Sequence, residues 1–579
     1  MTADMKPTEA AEAALDADRA QNDAAIWITR VADADVLACA RALQAEGPQG
    51  RPLWGVPFAV KDNIDIAGIP TTAACPGYSR IATETAPAVR AMLDAGAILL
   101  GKTNLDQFAT GLVGTRSPYG IPRNVFDASL VPGGSSSGSA VAVAAGIVPI
   151  ALGTDTAGSG RVPAAFGNIV GLKPTIGSVS ARGMVPACRS IDTISVFART
   201  VDAALGVQRV IAGYDAADPY SRRAPYPHLR RSAPSPHARI AVGDVASLCD
   251  AETAALTARA ADALGAERID VSAFLAIARL LYDGPWVAER SAALRAQIDA
   301  RPDILHPVTR AILEAGLTRR TVDAFDAFHQ LAQARRAAET MFATYDALLL
   351  PTAPFRPTLA EVEADPIGVN ARLGAFTNFV NLCDMAAFAV PAGLDANGLP
   401  VGVTLLGPAW SEGRVAAIAD ALHRKMSRTK LPPAAAPDTL AAEETALFCV
   451  GAHMSGLPLN QQIVALGGRF MRTVRTVPAY RLFALGNRPG MLRASDATGA
   501  AIEGEAIEGE AIEGEVWALP TAAIGALLAQ VPSPLGFGTI ALADGPCLGF
   551  LVEPAGIPDA RDITSFGGWR RWLAAKEAA

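Results

Sequence analysis

Residues 132–175 have the sequence PGGSSSGSAVAVAAGIVPIALGTDTAGSGRVPAAFGNIVGLKPT, and this stretch determines the kind of fold to expect. Two clusters of glycine and serine, GGSSSGS and TDTAGSG, flank a long apolar run. Glycine reaches backbone conformations that side chains forbid, so such clusters allow several N–H groups to converge. Converging N–H groups ahead of a helix stabilise a negative charge, as an acyl-transfer enzyme requires for its oxyanion. The stretch therefore predicts a buried backbone site for an anion or oxyanion.

Three other interpretations of this stretch fit less well. A flexible linker would not be fused to long apolar runs, and a phosphate loop needs a G-x-x-x-x-G-K-[ST] pattern that is absent here. Gly134–Gly138 does match the G-x-S-x-G nucleophile elbow, which would make Ser136 the nucleophile. That interpretation leaves TDTAGSG without a role. It also needs a catalytic histidine, and the first histidine of the chain is His228.

The sequence around this stretch predicts an α/β fold with a mixed, largely buried central sheet. From about Pro52 to Arg424, short β-branched runs such as PFAVKDNIDI alternate with helical runs such as PAVRAMLDAGAILLGKT. Such alternation is typical of an α/β sandwich. Residues 5–46 are alanine-rich and amphipathic and predict a helical segment, and DANG at 395–398 predicts a hairpin turn.

Three parts follow one another along the chain. Residues 1–426 form the first predicted domain, with a helical segment over 1–50. Residues 427–444, SRTKLPPAAAPDTLAAEE, have no apolar period and predict a linker. Residues 445–579 are numerous enough for a second, smaller α+β domain.

A five-residue unit, AIEGE, occurs three times in succession from Ala501. It is either an acidic binding loop or a loop lengthened by replication slippage, and the second explanation is simpler. We expect these repeats to form a solvated, poorly ordered excursion from the second domain.

Composition limits the classes of partner. The net charge of −7 and the pI near 5.6 argue against nucleic acid and anionic membranes. The N-terminal residues alternate charge with alanine, unlike a signal peptide, and the longest apolar run, 140–152, is too short to span a bilayer. Seven cysteines without paired spacing predict a reducing cytoplasm and no zinc site.

The motifs GVPFAVKDNID, KTNLDQFATG and residues 132–175 together resemble the amidase signature family, over about residues 50–425. The resemblance implies an α/β/α fold with a mixed sheet and a Ser–cis-Ser–Lys catalytic set. By motif position, Lys61 is the base, Ser135 the bridging serine and Ser159 the nucleophile. The implied oxyanion hole consists of backbone N–H groups of Thr156, Ala157, Gly158 and Ser159.

This catalytic set is chemically consistent. A serine hydroxyl needs a base to take its proton, and lysine serves only when burial favours its neutral form. Arginine cannot lose its proton, which fits the retention of Lys61 in a chain with 7 lysines among 50 basic residues. The simpler alternative is that Lys61 pairs with Asp62 or Asp65.

Other residues of these motifs have predicted supporting roles. Asp155 and Arg161 are expected to pair across the turn and hold it in place. Lys102 and Lys173 are expected to contact carbonyl or carboxylate groups. The resemblance to the family implies that residues 109–111 line the pocket.

The segment LYDGPWVAER, residues 281–290, bears on the substrate. Tyr282 and Arg290 are eight positions apart, a spacing that returns to one face of a helix and suits a pocket for a carboxylate. Spacing alone favours a core tyrosine and a surface arginine. However, this segment and the C-terminal domain resemble the allophanate hydrolase branch of the family.

That resemblance implies a substrate and partners. Tyr282 and Arg290 would hold the carboxylate of allophanate, a small carboxylated urea, which is hydrolysed to ammonia and CO₂ through an acyl-Ser159 intermediate. It implies no cofactor and no metal, a cytoplasmic homodimer, and a functional link to a biotin-dependent urea carboxylase.

The second domain resembles a γ-glutamylcyclotransferase-like fold. Its GAHMSGLPLN turn makes His453 a candidate acid or base for decarboxylation, although a structural histidine is an equal alternative. One competing function is a broad-specificity amidase, and another is a glutamine-dependent tRNA amidotransferase A subunit that works with partner chains. A non-enzymatic scaffold would not need all three of Lys61, Ser135 and Ser159.

Overall fold

The computed structural model describes residues 5–494 and 509–578. These residues divide into two compact units. The first takes in residues up to Ala224, Ile240–Phe342 and Asp346–Ala434, and the second takes in Pro225–Arg239, Ala343–Tyr345 and residues from Ala435 onward. Residues 427–443, at the change from one unit to the other, contain no helix or strand.

The first unit is built on strands β1 to β13. They are β1 Trp27–Arg30, β2 Pro57–Lys61, β3 Pro70–Thr71, β4 Arg80–Ile81, β5 Ile98–Thr103, β6 Ile150–Asp155, β7 Val170–Lys173, β8 Thr193–Ala198, β9 Ile240–Gly243, β10 Glu267–Ile269, β11 Ala347–Pro351, β12 Ala386–Leu394 and β13 Pro400–Gly407.

Sixteen α-helices in the described part of this unit accompany the strands. They are α1 Pro7–Gln21, α2 Asp33–Glu46, α3 Pro87–Asp94, α4 Ser137–Ala144, α5 Val162–Phe166, α6 Val201–Ile211, α7 Ala251–Leu264, α8 Ser272–Asp283, α9 Trp286–Ala293, α10 Arg295–Ala300, α11 Pro307–Gly316, α12 Thr321–Phe342, α13 Leu359–Ala364, α14 Gly368–Leu373, α15 Asn378–Leu382 and α16 Glu412–Met426.

The central sheet of the first unit is mixed, as predicted. Its strand order is β1-β5-β2-β6-β8-β7-β12-β13-β11-β9-β10. The pairs β2–β5, β2–β6, β9–β11 and β9–β10 are parallel, and the other neighbours are antiparallel. The strands β2, β6, β7, β8, β11 and β13 are buried along their whole length, which requires cover on both faces.

Close packing on β13 shows that helices cover both faces. A Cβ added at Gly402 would lie 2.5 Å from Ala165 of α5, whereas one at Gly407 would lie 2.4 Å from Val415 of α16. Residues an odd number of positions apart point to opposite faces of a strand. The sheet is therefore the middle layer of an α/β/α sandwich, and the predicted fold class is confirmed.

The DANG sequence at 395–398 forms the predicted turn. It joins the antiparallel strands β12 and β13, and Gly398 has a φ of 78°.

Residues 5–46 differ from the predicted continuous helical segment. Helix α1 ends before Asn22, which has a φ of 47°, and α2 begins only at Asp33. Between them, β1 pairs antiparallel with β5 at the edge of the central sheet. The apolar residues Ile26 and Trp27 belong to the core there, and β-branched neighbours favour a strand over a helix.

The second unit contains the strands and helices β14 Glu444–Cys449, α17 Asn460–Ala465, β15 Arg469–Arg475, β16 Tyr480–Leu485, β17 Arg488–Arg493, β18 Glu513–Pro520, α18 Ile524–Leu528, β19 Leu535–Leu542, β20 Gly545–Val552, β21 Arg561–Asp562 and α19 Trp569–Glu577. One sheet has the order β15-β18-β14-β20-β19 and another β17-β16-β21. This α+β unit has its own core, which includes Phe448, Trp517 and Trp569.

The segment Pro225–Arg239 belongs to the second unit although it lies far from it in sequence. The Ala233 N–H donates to the carbonyl of Phe470 at 2.9 Å, and Arg469 donates to the carbonyl of Arg231. No residue pattern indicates this excursion, because hydrogen bonds to backbone groups leave no signature in residue type.

The AIEGE repeats are only partly described. The first copy and the first three residues of the second lie outside the described residues. The third copy, 511–515, contradicts the prediction of a solvated excursion, since Ile512 is fully buried and β18 begins at Glu513. The Glu515 carboxylate is also buried. It accepts hydrogen bonds from the Ser455 N–H, at 2.7 Å, and from Arg570, at 2.7 Å, and these bonds offset the cost of its burial.

We predict that Glu515→Ala destabilises the second unit by about 3 kcal/mol, because it leaves buried donors without an acceptor. Glu510, which occupies the same repeat position one copy earlier, is exposed, and Glu510→Ala is the matched control. Urea unfolding followed by tryptophan fluorescence measures both. Equal midpoints for the two variants would contradict a structural role specific to the third copy.

No helix in the described ranges is both long and apolar enough to cross a bilayer.

Candidate active site

Lys61 lies at the end of β2, between β5 and β6, and is fully buried. Its Nζ donates to Ser135 Oγ at 2.7 Å and to Thr154 Oγ1 at 2.7 Å. The alternative pairing with Asp62 or Asp65 is wrong. Asp62 pairs with Lys102 at 3.0 Å and Asp65 pairs with Arg80 at 2.8 Å. Within residues 5–494 and 509–578, Lys61 has no carboxylate in an ion pair with it.

Burial lowers the pKa of the Lys61 ammonium group from 10.5 to about 7. The carboxylates of Asp106, Asp155 and Asp192 oppose this shift, but the loss of hydration outweighs them, and the charge of Arg290 adds to the lowering. A lysine with this pKa is neutral in about half of the molecules at pH 7, so it can accept a proton.

Ser135 follows a cis peptide bond from Gly134. Its carbonyl accepts a hydrogen bond from the Asp106 N–H at 3.1 Å, and the Asp106 carboxylate accepts from the N–H groups of Gly114 and Arg116. A Cβ added at Gly134 would lie 2.1 Å from Asp106 Oδ2, so only glycine fits there. Asp106, from the KTNLDQFATG motif, therefore fixes the loop that presents Ser135.

Ser136, which the elbow interpretation makes the nucleophile, forms hydrogen bonds to the backbone of β6 instead. Its hydroxyl is fully buried, donates to the carbonyl of Thr154 at 3.2 Å and accepts from the Thr154 N–H at 3.3 Å. These bonds fasten the start of α4 to β6, which leaves the hydroxyl no geometry for attack on a substrate.

The turn that carries Ser159 joins β6 to α5. The predicted Asp155–Arg161 pair is confirmed as two hydrogen bonds of 2.9 Å between buried side chains. The Asp155 carboxylate also accepts from the N–H groups of Gly158 and Gly160, both at 3.0 Å. The pair thus holds the whole turn, with Ser159 at its centre.

One of the four N–H groups implied for the oxyanion hole is already used. The Gly158 N–H donates to Asp155 Oδ1, so it is not directed at a substrate in this structure. The N–H groups of Thr156, Ala157 and Ser159 have no acceptor among the described residues. The resemblance did not reveal this difference, because a motif does not specify in which direction each N–H points.

Asp192 also belongs to this site, although it is not among the residues predicted from the motifs. Its carboxylate accepts from the Thr156 hydroxyl at 2.5 Å and from the N–H groups of Ala187 and Cys188. Burial raises the pKa of the Asp192 carboxyl to about 6. The signal was available: Asp192 is a single charge directly before the apolar run of β8, where a charge needs a specific reason.

Lys102 and Lys173 have the predicted structural contacts. Lys102 donates to the carbonyl of Pro70 and to Thr71, besides its pairing with Asp62. Lys173 donates to the carbonyl of Met385 at 2.6 Å.

Tyr282 and Arg290 are not on one helix, contrary to the interpretation of their spacing. Helix α8 ends at Asp283, and α9 begins at Trp286 after Gly284 and Pro285, because proline cannot continue a helix. The two side chains nevertheless meet, with the Arg290 guanidinium carbon 5.5 Å from the centre of the Tyr282 ring.

Arg290 is a buried cation, only 1% exposed. It donates to Thr110 Oγ1 at 2.8 Å and to the carbonyl of Ala109 at 3.1 Å, both in the segment predicted to line the pocket. No aspartate or glutamate of the described ranges forms an ion pair with it, and the buried Tyr282 hydroxyl has no hydrogen-bond partner there. Asp192 acts on Arg290 through its charge without forming an ion pair, so the guanidinium and the Tyr282 hydroxyl can together bind an anionic group.

His453 lies in the second unit, beside a cavity of about 250 Å³ whose lining includes Gln462, Arg488 and Phe550. Its Nε2 is 3.0 Å from Gln462 Oε1, and its ring stacks on Phe550 with centroids 4.9 Å apart. Burial lowers the pKa of the imidazole, which keeps it neutral near pH 7. The residue is both packed and open to a cavity, so structural and chemical roles are each compatible with its position.

The mixed sheet, the buried lysine–serine pair and the glycine-rich turn are the features of an amidase-type hydrolase. Comparison with known proteins agrees: residues 9–416 match the family described as Amidase, and residues 445–574 match the family described as Allophanate hydrolase C-terminal domain. The chain belongs to the amidase family, and its C-terminal part is an allophanate hydrolase C-terminal domain.

Relatives cover one or both parts. The urea amidolyase of Saccharomyces cerevisiae is 39% identical over 580 residues, 94% of this chain but 31% of that protein. A structure of Kluyveromyces lactis allophanate hydrolase is 37% identical with a TM-score of 0.75, covering 99% of this chain and 97% of that one. The A-type component of the glutamyl-tRNA(Gln) amidotransferase from Nitratidesulfovibrio vulgaris is 36% identical, covering 69% of this chain and 88% of that protein. The chain thus spans about a third of the yeast urea amidolyase.

We predict that Lys61 titrates near pH 7 in the folded protein. With only seven lysines in the chain, NMR of ¹³Cε-labelled lysine can resolve it, and the signal lost in Lys61→Met assigns it. Lys173, whose pKa burial lowers to about 8, must be assigned in the same way. A Lys61 midpoint above pH 9 would show that the ammonium form is stable in this site.

Proposed function

We propose that the protein hydrolyses allophanate, urea-1-carboxylate, and that Ser159, Ser135 and Lys61 carry out the reaction. The observation that carries the proposal is the buried Arg290 beside Tyr282, a cation without a carboxylate partner in the described chain. A carboxylated amide would complete this pairing. The likeness to an allophanate hydrolase over nearly the whole of both chains supports the same substrate.

The chemistry begins with a proton transfer. Neutral Lys61 takes the proton of the Ser135 hydroxyl, to which it is hydrogen-bonded, and Ser135 takes the proton of Ser159. The Ser159 oxygen attacks the amide carbonyl of allophanate, and the N–H groups of Thr156, Ala157 and Ser159 hold the resulting oxyanion.

Collapse of the tetrahedral intermediate breaks the C–N bond. The proton returns through Ser135 to the leaving nitrogen, so ammonia departs and an acyl-Ser159 ester remains. Water, activated by the same relay, hydrolyses the ester to N-carboxycarbamate. Loss of CO₂ from this product gives carbamate, which releases the second ammonia and the second CO₂.

Substrate recognition in this scheme rests on the carboxylate. Arg290 supplies the charge and Tyr282 a hydroxyl donor, while Thr110 and Ala109 hold the guanidinium in place. The Asp192 carboxylate accepts a hydrogen bond from the Thr156 hydroxyl. This bond orients Thr156, the first of the residues whose N–H groups hold the oxyanion.

The biological setting is part of the proposal. A biotin-dependent urea carboxylase would supply allophanate, in line with the relative named urea amidolyase, of which this chain spans 31%. The homodimer stays a prediction from the resemblance, and the reducing cytoplasm stays a prediction from the seven cysteines without paired spacing.

Two other functions remain as outcomes of the tests below. A broad-specificity amidase would hydrolyse neutral amides as well as allophanate. The amidotransferase relative from Nitratidesulfovibrio vulgaris covers only 69% of this chain, and that function would leave residues 445–574 unexplained.

We predict that Arg290→Ala raises the KM for allophanate about 100-fold, since it removes the charge that pairs with the carboxylate. The KM for propionamide, which has no carboxylate, should change less than about threefold. Arg295→Ala is the matched control, because Arg295 is an exposed arginine that pairs with Asp299. Ammonia release measures all three enzymes. An equal loss on both substrates would exclude the carboxylate role of Arg290.

We further propose that the neutral imidazole of His453, which lines the cavity of the second unit, assists decarboxylation, and we predict that His453→Ala slows CO₂ release relative to ammonia release. His329→Ala, which removes an exposed histidine of α12, is the control. Parallel measurement of CO₂ and ammonia from allophanate gives the ratio. An unchanged ratio in His453→Ala would assign His453 to packing alone.

A further inference from the structure

The cavity that Tyr282 lines is also lined by a second buried polar residue, Asn378. This cavity, in the first unit, has a volume of about 540 Å³, and its lining includes Asn378, Ala278 and Phe355. Asn378 is only 4% exposed, and its Oδ1 has no hydrogen-bond partner in the described part of the chain. A buried acceptor without a donor destabilises the folded state, so its presence here needs an explanation.

The Asn378 amide has one orientation. Its Nδ2 donates to the carbonyl of Ala278 at 3.2 Å, and the reverse orientation would place two oxygens against each other. A Cβ added at Gly374 would lie 2.5 Å from Nδ2 and 2.6 Å from Oδ1, so the backbone there packs directly against the amide. The side chain is therefore held with its oxygen unused, as a fixed acceptor.

Asn378 is also tied to the reaction centre through its neighbour. The Thr377 hydroxyl donates to the carbonyl of Ala157 at 2.6 Å, and Arg161 donates to the carbonyl of Thr377 at 3.1 Å. The start of α15 is thus bonded to the turn that carries Ser159. On the other side, Ala278 is one helical turn before Tyr282 on α8.

We propose that Asn378 Oδ1 accepts a hydrogen bond from the internal N–H of the substrate. This is the N–H between the amide carbonyl and the carboxylate. This proposal rests on the proposed function and specifies the substrate class further, as N-carboxylated ureas. In this arrangement the carboxylate, which is bonded to the internal nitrogen, contacts Tyr282, and Tyr282 lines the same cavity as Asn378. Arg290 and Tyr282 recognise any carboxylated amide, whereas Asn378 distinguishes nitrogen from carbon at the adjacent atom.

Malonamate is the probe for this distinction. It has the same terminal amide and the same carboxylate as allophanate, but a CH₂ group replaces the internal N–H. A site built to accept an N–H discriminates strongly against an analogue that lacks it. The measured quantity is the ratio of kcat/KM for allophanate to kcat/KM for malonamate, with the inhibition constant of malonamate against allophanate as a second readout.

We expect this ratio to fall at least about tenfold in Asn378→Leu, which keeps the shape of asparagine and removes the acceptor. Asn378→Ala, which is smaller, should lower it as well. The ratio does not depend on the fraction of folded enzyme, because both substrates meet the same active sites. A loss of folding therefore cannot imitate the expected result.

Two results would overturn the inference and leave the proposed function intact. In one, the Asn378 variants lose activity on both substrates by the same factor, which assigns Asn378 to structure alone. In the other, the ratio and the inhibition constant stay at their wild-type values. If the wild-type enzyme releases no ammonia from allophanate, the proposed function fails, and this inference fails with it.

Discussion

The burial of Lys61 without a carboxylate partner is the constraint on which the rest of the site depends. In water the ammonium group of a lysine has a pKa of 10.5, whereas burial in this site lowers the pKa of Lys61 to about 7. Three carboxylates, those of Asp106, Asp155 and Asp192, act in the opposite direction but do not outweigh burial. A single direct ion pair would restore the charge and end the capacity of Lys61 to accept a proton.

The nearby acids are accordingly committed to other groups. Asp62 is bonded to Lys102 and Thr72, and Asp155 to Arg161 and two backbone N–H groups. The Asp106 carboxylate accepts from backbone N–H groups beside the loop that presents the bridging serine. Each of these bonds supports the architecture of the site and, at the same time, fixes a negative charge away from Nζ. Of the two other buried lysines, Lys102 pairs with the carboxylate of Asp62, whereas Lys173 donates to backbone carbonyls.

Much of the fold could be predicted from sequence, because its determinants are local. The glycine-rich turns, the alternation of strands and helices and the DANG hairpin follow from residue type and short-range spacing. The Lys61–Ser135 pair was identified through a long motif, although the two residues are 74 positions apart. A motif specifies which residues occur together, and the structure then supplies the distance.

Features that depend on direction or on distant contacts could not be predicted in this way. Gly158 matches the motif, yet its N–H points to Asp155. The strand β1 was missed because alanine-rich neighbours obscured four residues that belong to the sheet.

The third AIEGE copy has a consequence for the number of repeats that the fold can accept. Gly509, Glu510 and the third copy enter β18 with the sequence GEAIEGE, and removing or adding one unit upstream leaves this sequence unchanged. The last copy supplies the residues that enter the core. A chain with one unit more or one unit fewer upstream would therefore present the same glutamate to the same partners, so the fold tolerates this change in copy number.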